Sequence, residues 1–369
     1  MTPAQIIQAI EGMEPAMQQA YLAQVKLVVG AATVAEVERL IAEEDENGLA
    51  ALLAMGAMAT FLELIRNAYL AGAKFEIKAI SIPKDLGRFE FDPRKPEAER
   101  WLTAKAEEIR QTVDMNVRGA IHEIVVSRRR IGVSPSRQAP VLPPPGSPVP
   151  PPFQPALPPA TIEVEVTAKP ITPRKAALDL LGRVSAQTGA RSGGVVGLPG
   201  NYAQFVINAR EQLLGGNPDE MLKYLQRTRR DRRFDGIVNR AIAAGKPVAQ
   251  ADVDKIAGRY AERLMKTYAE MLAKAEALEA FGAGRDQVYE QLIAQGLDRD
   301  WVTKTWRDRG DKKVRHTHSV MGGQEVQKDQ PFQSPNGALL RYPGDSSLGA
   351  GWSERANCRC TAIYKIRRK

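Results

Sequence analysis

Twelve of the chain's 25 prolines fall between Pro135 and Pro159, in a stretch that reads PSRQAPVLPPPGSPVPPPFQPALPP. Proline has no amide hydrogen to donate and fixes its own φ, so a run this dense can be neither a helix nor a central strand. It reads as a semi-rigid polyproline II spacer, reaching ~3 Å per residue and about 70 Å if fully extended. Folding must therefore take place on either side of it. Of the 369 residues, both flanks are long enough to bury a core.

The N-terminal flank reads as helices. Thr2 can cap an opening helix, Pro3 suits its first turn, and Ile6, Ile7 and Ile10 share a face. A second helix is expected from about Thr33 to the polar run EEDENG. The apolar run from Gly48 continues to about Leu70, with Gly72 available to end it. Its uncharged part is only about fifteen residues, short of the ~20 that span a bilayer, so a buried helix is expected and no stable membrane insertion. KFEIKAISIP, from Lys74, alternates like a short strand closed by Pro83. From Pro96 to Arg130 helical spacing returns, through Trp101, Ile109, Val113, Val117, Ile121 and Ile124.

Beyond the spacer, a helix is expected from Asn201 to Leu214. A longer one starts near Asp252, with Val253, Ile256, Tyr260, Leu264 and Met271 on one side. Gly282 and Gly284 are read as its end, with a shorter helix from Arg285 to Gly296. WVTKTW (Trp301 to Trp306) then alternates like a strand, turns such as SPNG and YPGD follow, and CTAIYKI is strand-like again. The fold expected is mainly α: helical domains joined by the Pro-rich linker, ending in a small irregular β-containing module. The divisions are an acidic helical region at 1–75, a strand plus long helix at 76–133, the linker at 134–173, a helical domain at 174–297 and the module at 298–369.

Charge is uneven. The net charge is +9, with −6 over residues 1–70 and so +15 over the remainder. The basic part is the better candidate for touching nucleic acid. Within it, RTRRDRRF supplies Arg227, Arg229, Arg230, Arg232 and Arg233 for phosphates, with Tyr224 and Phe234 to stack on bases. On a helix, Asp231 and Asp235 would partly satisfy those arginines instead.

The chain has only two cysteines and three histidines, and four of these five occur in two tripeptides, His316-Thr-His318 and Cys358-Arg-Cys360. C-x-C closes too small a ring for an easy disulfide. In extended backbone, residues i and i+2 share a face. If the two tripeptides pair, His316, His318, Cys358 and Cys360 present the ligand set of a structural Zn²⁺ site, a staple for the C-terminal module. Recurring zinc spacings are wider, so one segment needs a turn or bulge; the alternative is that the cysteines are small core residues. No G-x-S-x-G or P-loop is present, and four protein ligands leave a metal no open position for water, so an enzyme is not expected.

The C-terminal pattern resembles the phage head morphogenesis family, the Mu F-like minor head proteins of tailed bacteriophages. The elements that carry the likeness occur in order: Trp306, then Arg315 with His318, Gly323 and Gln324, FQSPNG from Phe332, YPGD from Tyr342, and NCRC from Asn357. Weaker likeness reaches back to about residue 90, and the first 75 residues carry little. The family's Ala-Arg-Thr-Glu step on the long helix reads Ala273, Lys274, Ala275, Glu276 here, and the spacer looks like an insertion. The resemblance implies a low-copy structural protein of the virion, made in the host cytoplasm and placed in the head interior or at the portal vertex. Its implied partners are the portal protein and other head proteins, with packaged double-stranded DNA beside the basic body. It also matches His318, Cys358 and Cys360 to family positions, and His316 less closely. The alternatives are a phage-encoded DNA-binding or DNA-processing enzyme used early in infection, or a toxin, for which little sequence remains after Cys360.

Overall fold

The computed structural model describes residues 2–130, 171–185 and 188–367. The predicted spacer at 135–159 lies outside the described residues.

Three of the first five helices start where a side chain satisfies a free backbone amide. Helix α1 (Pro3–Glu11) is closed by a reciprocal box between Thr2 and Gln5 and buries Ile6, Ile7 and Ile10. Helix α2 (Glu14–Ala31) buries Met17, Tyr21, Val25, Val28 and Val29. Helix α3 (Val34–Ala42) is capped by Thr33 and α4 (Glu46–Leu52) by Asp45. The apolar run from Gly48 is thus interrupted after α4, and Met58, at φ 50°, leads into α5 (Ala59–Ala79). Among the described residues no single helix is long and apolar enough to cross a membrane.

Helix α5 continues to Ala79, so KFEIKAISIP forms no strand: its first six residues are the end of the helix. Four alternating residues are too few to override a helix whose next inward position, Glu76, finds buried partners in Arg285 and Tyr289. Gly72 does not end the helix either: a Cβ there would sit 2.1 Å from Phe281 O, so its bareness lets a second helix touch the backbone.

Helix α6 (Pro96–Arg130) is the long helix that the spacing predicts. Helix α7 (Pro173–Leu181), a minimal hairpin of β1 (Arg183–Val184) and β2 (Arg191–Ser192), α8 (Gly200–Leu214), α9 (Pro218–Leu225) and α10 (Asp235–Ala244) follow. Helix α11 (Gln250–Ala294) is one uninterrupted rod of 45 residues, ~67 Å long. The break read at Gly282 and Gly284 is absent. A Cβ on Gly284 would lie 1.9 Å from Tyr69 O, and one on Gly282 would lie 2.8 Å from the Tyr342 ring. These glycines are where α5 and the C-terminal module close onto the rod.

The module contains β3 (Val302–Arg307), α12 (His316–Val320), β4 (Glu325–Gln327), β5 (Phe332–Gln333), β6 (Leu339–Leu340), α13 (Trp352–Arg355) and β7 (Thr361–Ile366). Its main sheet has the order β4-β3-β7, wholly antiparallel, with Lys304 opposite Tyr364 and Val326; β5 and β6 pair separately. The mainly α fold with a small β-containing C-terminal module is as expected. One contiguous hydrophobic core runs from Ile6 to Tyr364, across the boundaries read at 75/76 and 297/298. Helices α2 and α5 lie along α11, so residues 1–75 share the core of the rod.

Candidate metal centre

His318 stands on α12, and Cys358 and Cys360 follow α13 and lead into β7. All three are buried, and one donor atom from each lies within 4.8 Å of the others. Both sulfurs, Cys358 Sγ and Cys360 Sγ, lie 3.5 Å from the same atom, His318 Nδ1. The other ring nitrogen, Nε2, is 2.9 Å from Glu354 Oε2.

These distances are compatible with ligation as well as with hydrogen bonding. With Nε2–H donating to the Glu354 carboxylate, Nδ1 carries a single in-plane lone pair, which cannot serve two thiols equally well. A tetrahedral metal with ~2.05 Å to nitrogen and ~2.3 Å to sulfur requires an N···S separation of about 3.5 Å for both sulfurs. The residues therefore fit a metal that takes imidazole and thiolates. The Cys360 thiol and the His318 ring hold the Cys358 thiol well below its usual range, whereas Cys358 and burial push Cys360 up.

His316 does not join the group. The tripeptide is helical, not extended, so a two-residue step turns by ~200° and sends His316 to the exposed side while His318 points inward. The group has three protein donors among the described residues, not four.

Glu354 has no metal-ligand spacing to advertise it, and the sequence reading missed it. It orients His318 as an outer carboxylate, the usual companion of a metal-bound imidazole. It is held in turn by Asn336 Nδ2 at 3.2 Å and Ser334 Oγ at 3.4 Å, both from the FQSPNG turn. Arg315 fastens α12 to α13 by donating to the carbonyls of Ser353 and Ala356. Trp306 meets the His318 ring edge-on at 5.2 Å and Phe332 likewise at 5.2 Å. Gln324 accepts the Trp306 amide at 2.8 Å.

Beneath this centre lies a buried charge cluster that seats the module. Lys105 Nζ stands 2.7 Å from both Glu276 and Glu279 and 3.1 Å from Glu108. Arg355 reaches the same three carboxylates from the module, and Ser346 donates to Glu279. These carboxylates are close enough to hold a metal, but the lysine ammonium already occupies the centre. Burial pushes Glu276 up; in Glu279 the charges of Lys105 and Arg355 outweigh burial and hold the carboxyl below its usual range. Through Lys105 and Arg355, Glu276 helps keep the module on the rod.

The arginine run forms no α-helix; only Arg232–Phe234 make a single 3-10 turn. Between α9 and α10 it is a loop with one tight turn, organised around the buried Asp231. Asp231 accepts from Arg233 at 2.6 Å, with Arg263 and Arg259 at 3.5 and 3.8 Å. The hydrogen bonds from Arg233, helped by the charge of Arg263, hold its carboxyl far below the usual range. Arg230 makes a fork on Asp235 at 3.0 Å, and Arg227 bonds Gln212 and lies over the Tyr260 ring. Arg229 and Arg232 are exposed and have no such partner among the described residues. Tyr224 is buried, so the stacking expected of it has no accessible ring. In comparisons with known proteins, the chain matches no family model, no curated protein and no solved structure.

Proposed function

We propose that this chain is a minor head protein of a tailed bacteriophage, acting by binding rather than catalysis during head assembly. The observation that carries the reading is the ordered motif series of the C-terminal module, from Trp306 to NCRC. Its elements have interlocking roles around one point. Trp306 and His318 pack together, the FQSPNG turn holds Glu354, Tyr342 of YPGD covers Gly282, and NCRC brings both thiols. Such interdependence is what keeps a motif series together in one order.

The metal in this reading is a structural Zn²⁺. It would be held by His318, Cys358 and Cys360 and would supply a cross-link between α12 and the start of β7. All three donors are buried at 7% exposure or less, which screens a bound ion from substrate and favours a staple. The module's own side chains orient the imidazole and hold both thiols beside it. The partners of this reading are the portal protein and neighbouring head proteins, with Arg229 and Arg232 turned to packaged DNA.

The test is a gradient separation of procapsids, filled heads and free protein from infected cells, with this chain quantified against portal and major capsid protein. A few copies per head, tracking the portal, is the expected result. Presence only in the soluble fraction would refute it and bring forward the early-acting, DNA-processing reading, which the unpaired arginines favour.

A further inference from the structure

Among the described residues, strand β7 is paired on one side only. Arg367 donates its amide hydrogen to Trp301 O, which sets the phase of the β3–β7 ladder. Hydrogen-bonded and non-bonded pairs alternate in antiparallel sheets. Thr361, Ile363 and Lys365 therefore bond β3, and Ala362, Tyr364 and Ile366 turn their N–H and C=O groups to the opposite edge. The far side of β3 agrees: Lys328 donates to Val302 O and Trp306 to Gln324 O, so even-numbered β3 residues face β4. Among the described residues no group bonds the edge-facing backbone of Tyr364 or Ile366. Beside β7 lies a groove of about 300 Å³, lined by Ile6, Ala79, Ile80, Ser81, the ion-paired Glu76 and Arg285, and the strand itself from Ile363 to Arg367.

From this geometry we infer that β7 is a docking edge that takes an extended, acidic segment of another protein as an added strand. Edge-facing donors and acceptors recur every second residue, about 6.8 Å apart, a spacing that extended backbone matches and a helix does not. The partly exposed Ile80 and Ile366 offer apolar contact to side chains of the incoming segment. The exposed border is basic. Lys365 has no carboxylate partner among the described residues, and Arg367 shares Glu325 at 3.0 Å. A second copy of this chain would set Lys365 and Arg367 against themselves, the repulsion by which edge strands reject their own kind. A carboxylate-bearing strand removes that repulsion and gains the charge. The inference stands independently of the head-protein reading.

The probe is a fluorescein-labelled ten-residue peptide of alternating threonine and glutamate, titrated with the full chain and read by anisotropy. Saturable binding is expected. The same peptide with lysine for glutamate, or with alternate amides N-methylated, should bind at least about tenfold more weakly. Ile366→Pro removes an edge-facing N–H and no bond to β3, and should cost about tenfold at unchanged circular dichroism. Lys365→Glu should reverse the preference between the two charged peptides. No saturable binding of the glutamate peptide, or equal binding after N-methylation, would overturn the inference whether or not Ile366→Pro folds. Dimerisation in sedimentation that Ile366→Pro abolishes would assign the edge to a second copy and overturn it too.

Discussion

Gly284→Ala should destabilise the protein by ~2–4 kcal/mol, although the same change in an open helix stabilises it. Alanine is favoured over glycine by about 1 kcal/mol in a helix interior. At Gly284 a Cβ would lie 1.9 Å from Tyr69 O, 2.8 Å from Tyr69 C and 3.1 Å from Ala73 N. All three are backbone atoms of α5, so no side chain can swing aside, and the helices must part by more than ~1 Å to regain ordinary contact. Overpacking of this kind costs ~1–3 kcal/mol. Parting the helices also stretches the buried bond from Arg285 to Glu76, 2.5 Å long, and a charged hydrogen bond contributes about 1.5–3 kcal/mol. Gly30→Ala is the control. Gly30 lies in α2 with nothing within 4 Å of its would-be Cβ, so only helix propensity acts and a gain of ~0.5–1 kcal/mol is expected. Urea unfolding followed by far-ultraviolet circular dichroism reads both variants. Equal signs for the two substitutions would refute the backbone contact between α5 and α11.

The purified protein should carry about one zinc, retained in His316→Ala and lost in His318→Ala and Cys358→Ser; elemental analysis decides, and equal zinc in all variants would remove the site. Chelation should lower stability by about 4 kcal/mol relative to protein in free metal at a thousandfold its Kd, measured by thermal unfolding. Arg355→Met leaves Glu276 and Glu279 buried with Lys105 alone, so a loss of ~3–5 kcal/mol is expected, with proteolysis concentrated in the module. Burial raises the Glu14 carboxyl to about 7 from 4.5, so the native state keeps a proton that the unfolded chain has released, and stability falls as pH rises between these values. Since Glu14 is half-exposed, Glu14→Gln should gain only ~1 kcal/mol at pH 8 and nothing at pH 4, by urea titration at each pH. Replacing Arg229 and Arg232 with glutamate should weaken binding to double-stranded DNA and flatten its salt dependence by about two counterions, by titration at several salt concentrations; an unchanged slope would exclude them from the interface.

Much of the fold was legible because its signals are local. Thr2, Thr33 and Pro96 mark helix starts through their own backbone chemistry, and Val302–Arg307 and Thr361–Ile366 alternate as strands must. His318, Cys358 and Cys360 were legible as metal-binding types crowded into two short segments. The sequence could not rank His316 against His318, because both are the same chemical group two residues apart. Only the helical turn at α12 separates them.

The glycines make the general point. Gly72, Gly282 and Gly284 read as helix stops because a missing Cβ weakens a helix in isolation. In the folded chain the same missing Cβ lets Phe281, Tyr69 and Tyr342 close in, and packing outweighs the local preference. Glu276 and Glu354 were illegible as partners for a related reason: a carboxylate is unremarkable until the fold surrounds it with Lys105 or His318, whereas Asp231 was legible as an arginine partner but not as the buried centre of a loop. By itself the sequence determined which residues could be helical, extended or metal-binding, because those properties belong to a residue and its neighbours along the chain. The tertiary structure alone decided which of them meet, because a buried charge or a bare glycine takes its energy from the group that faces it.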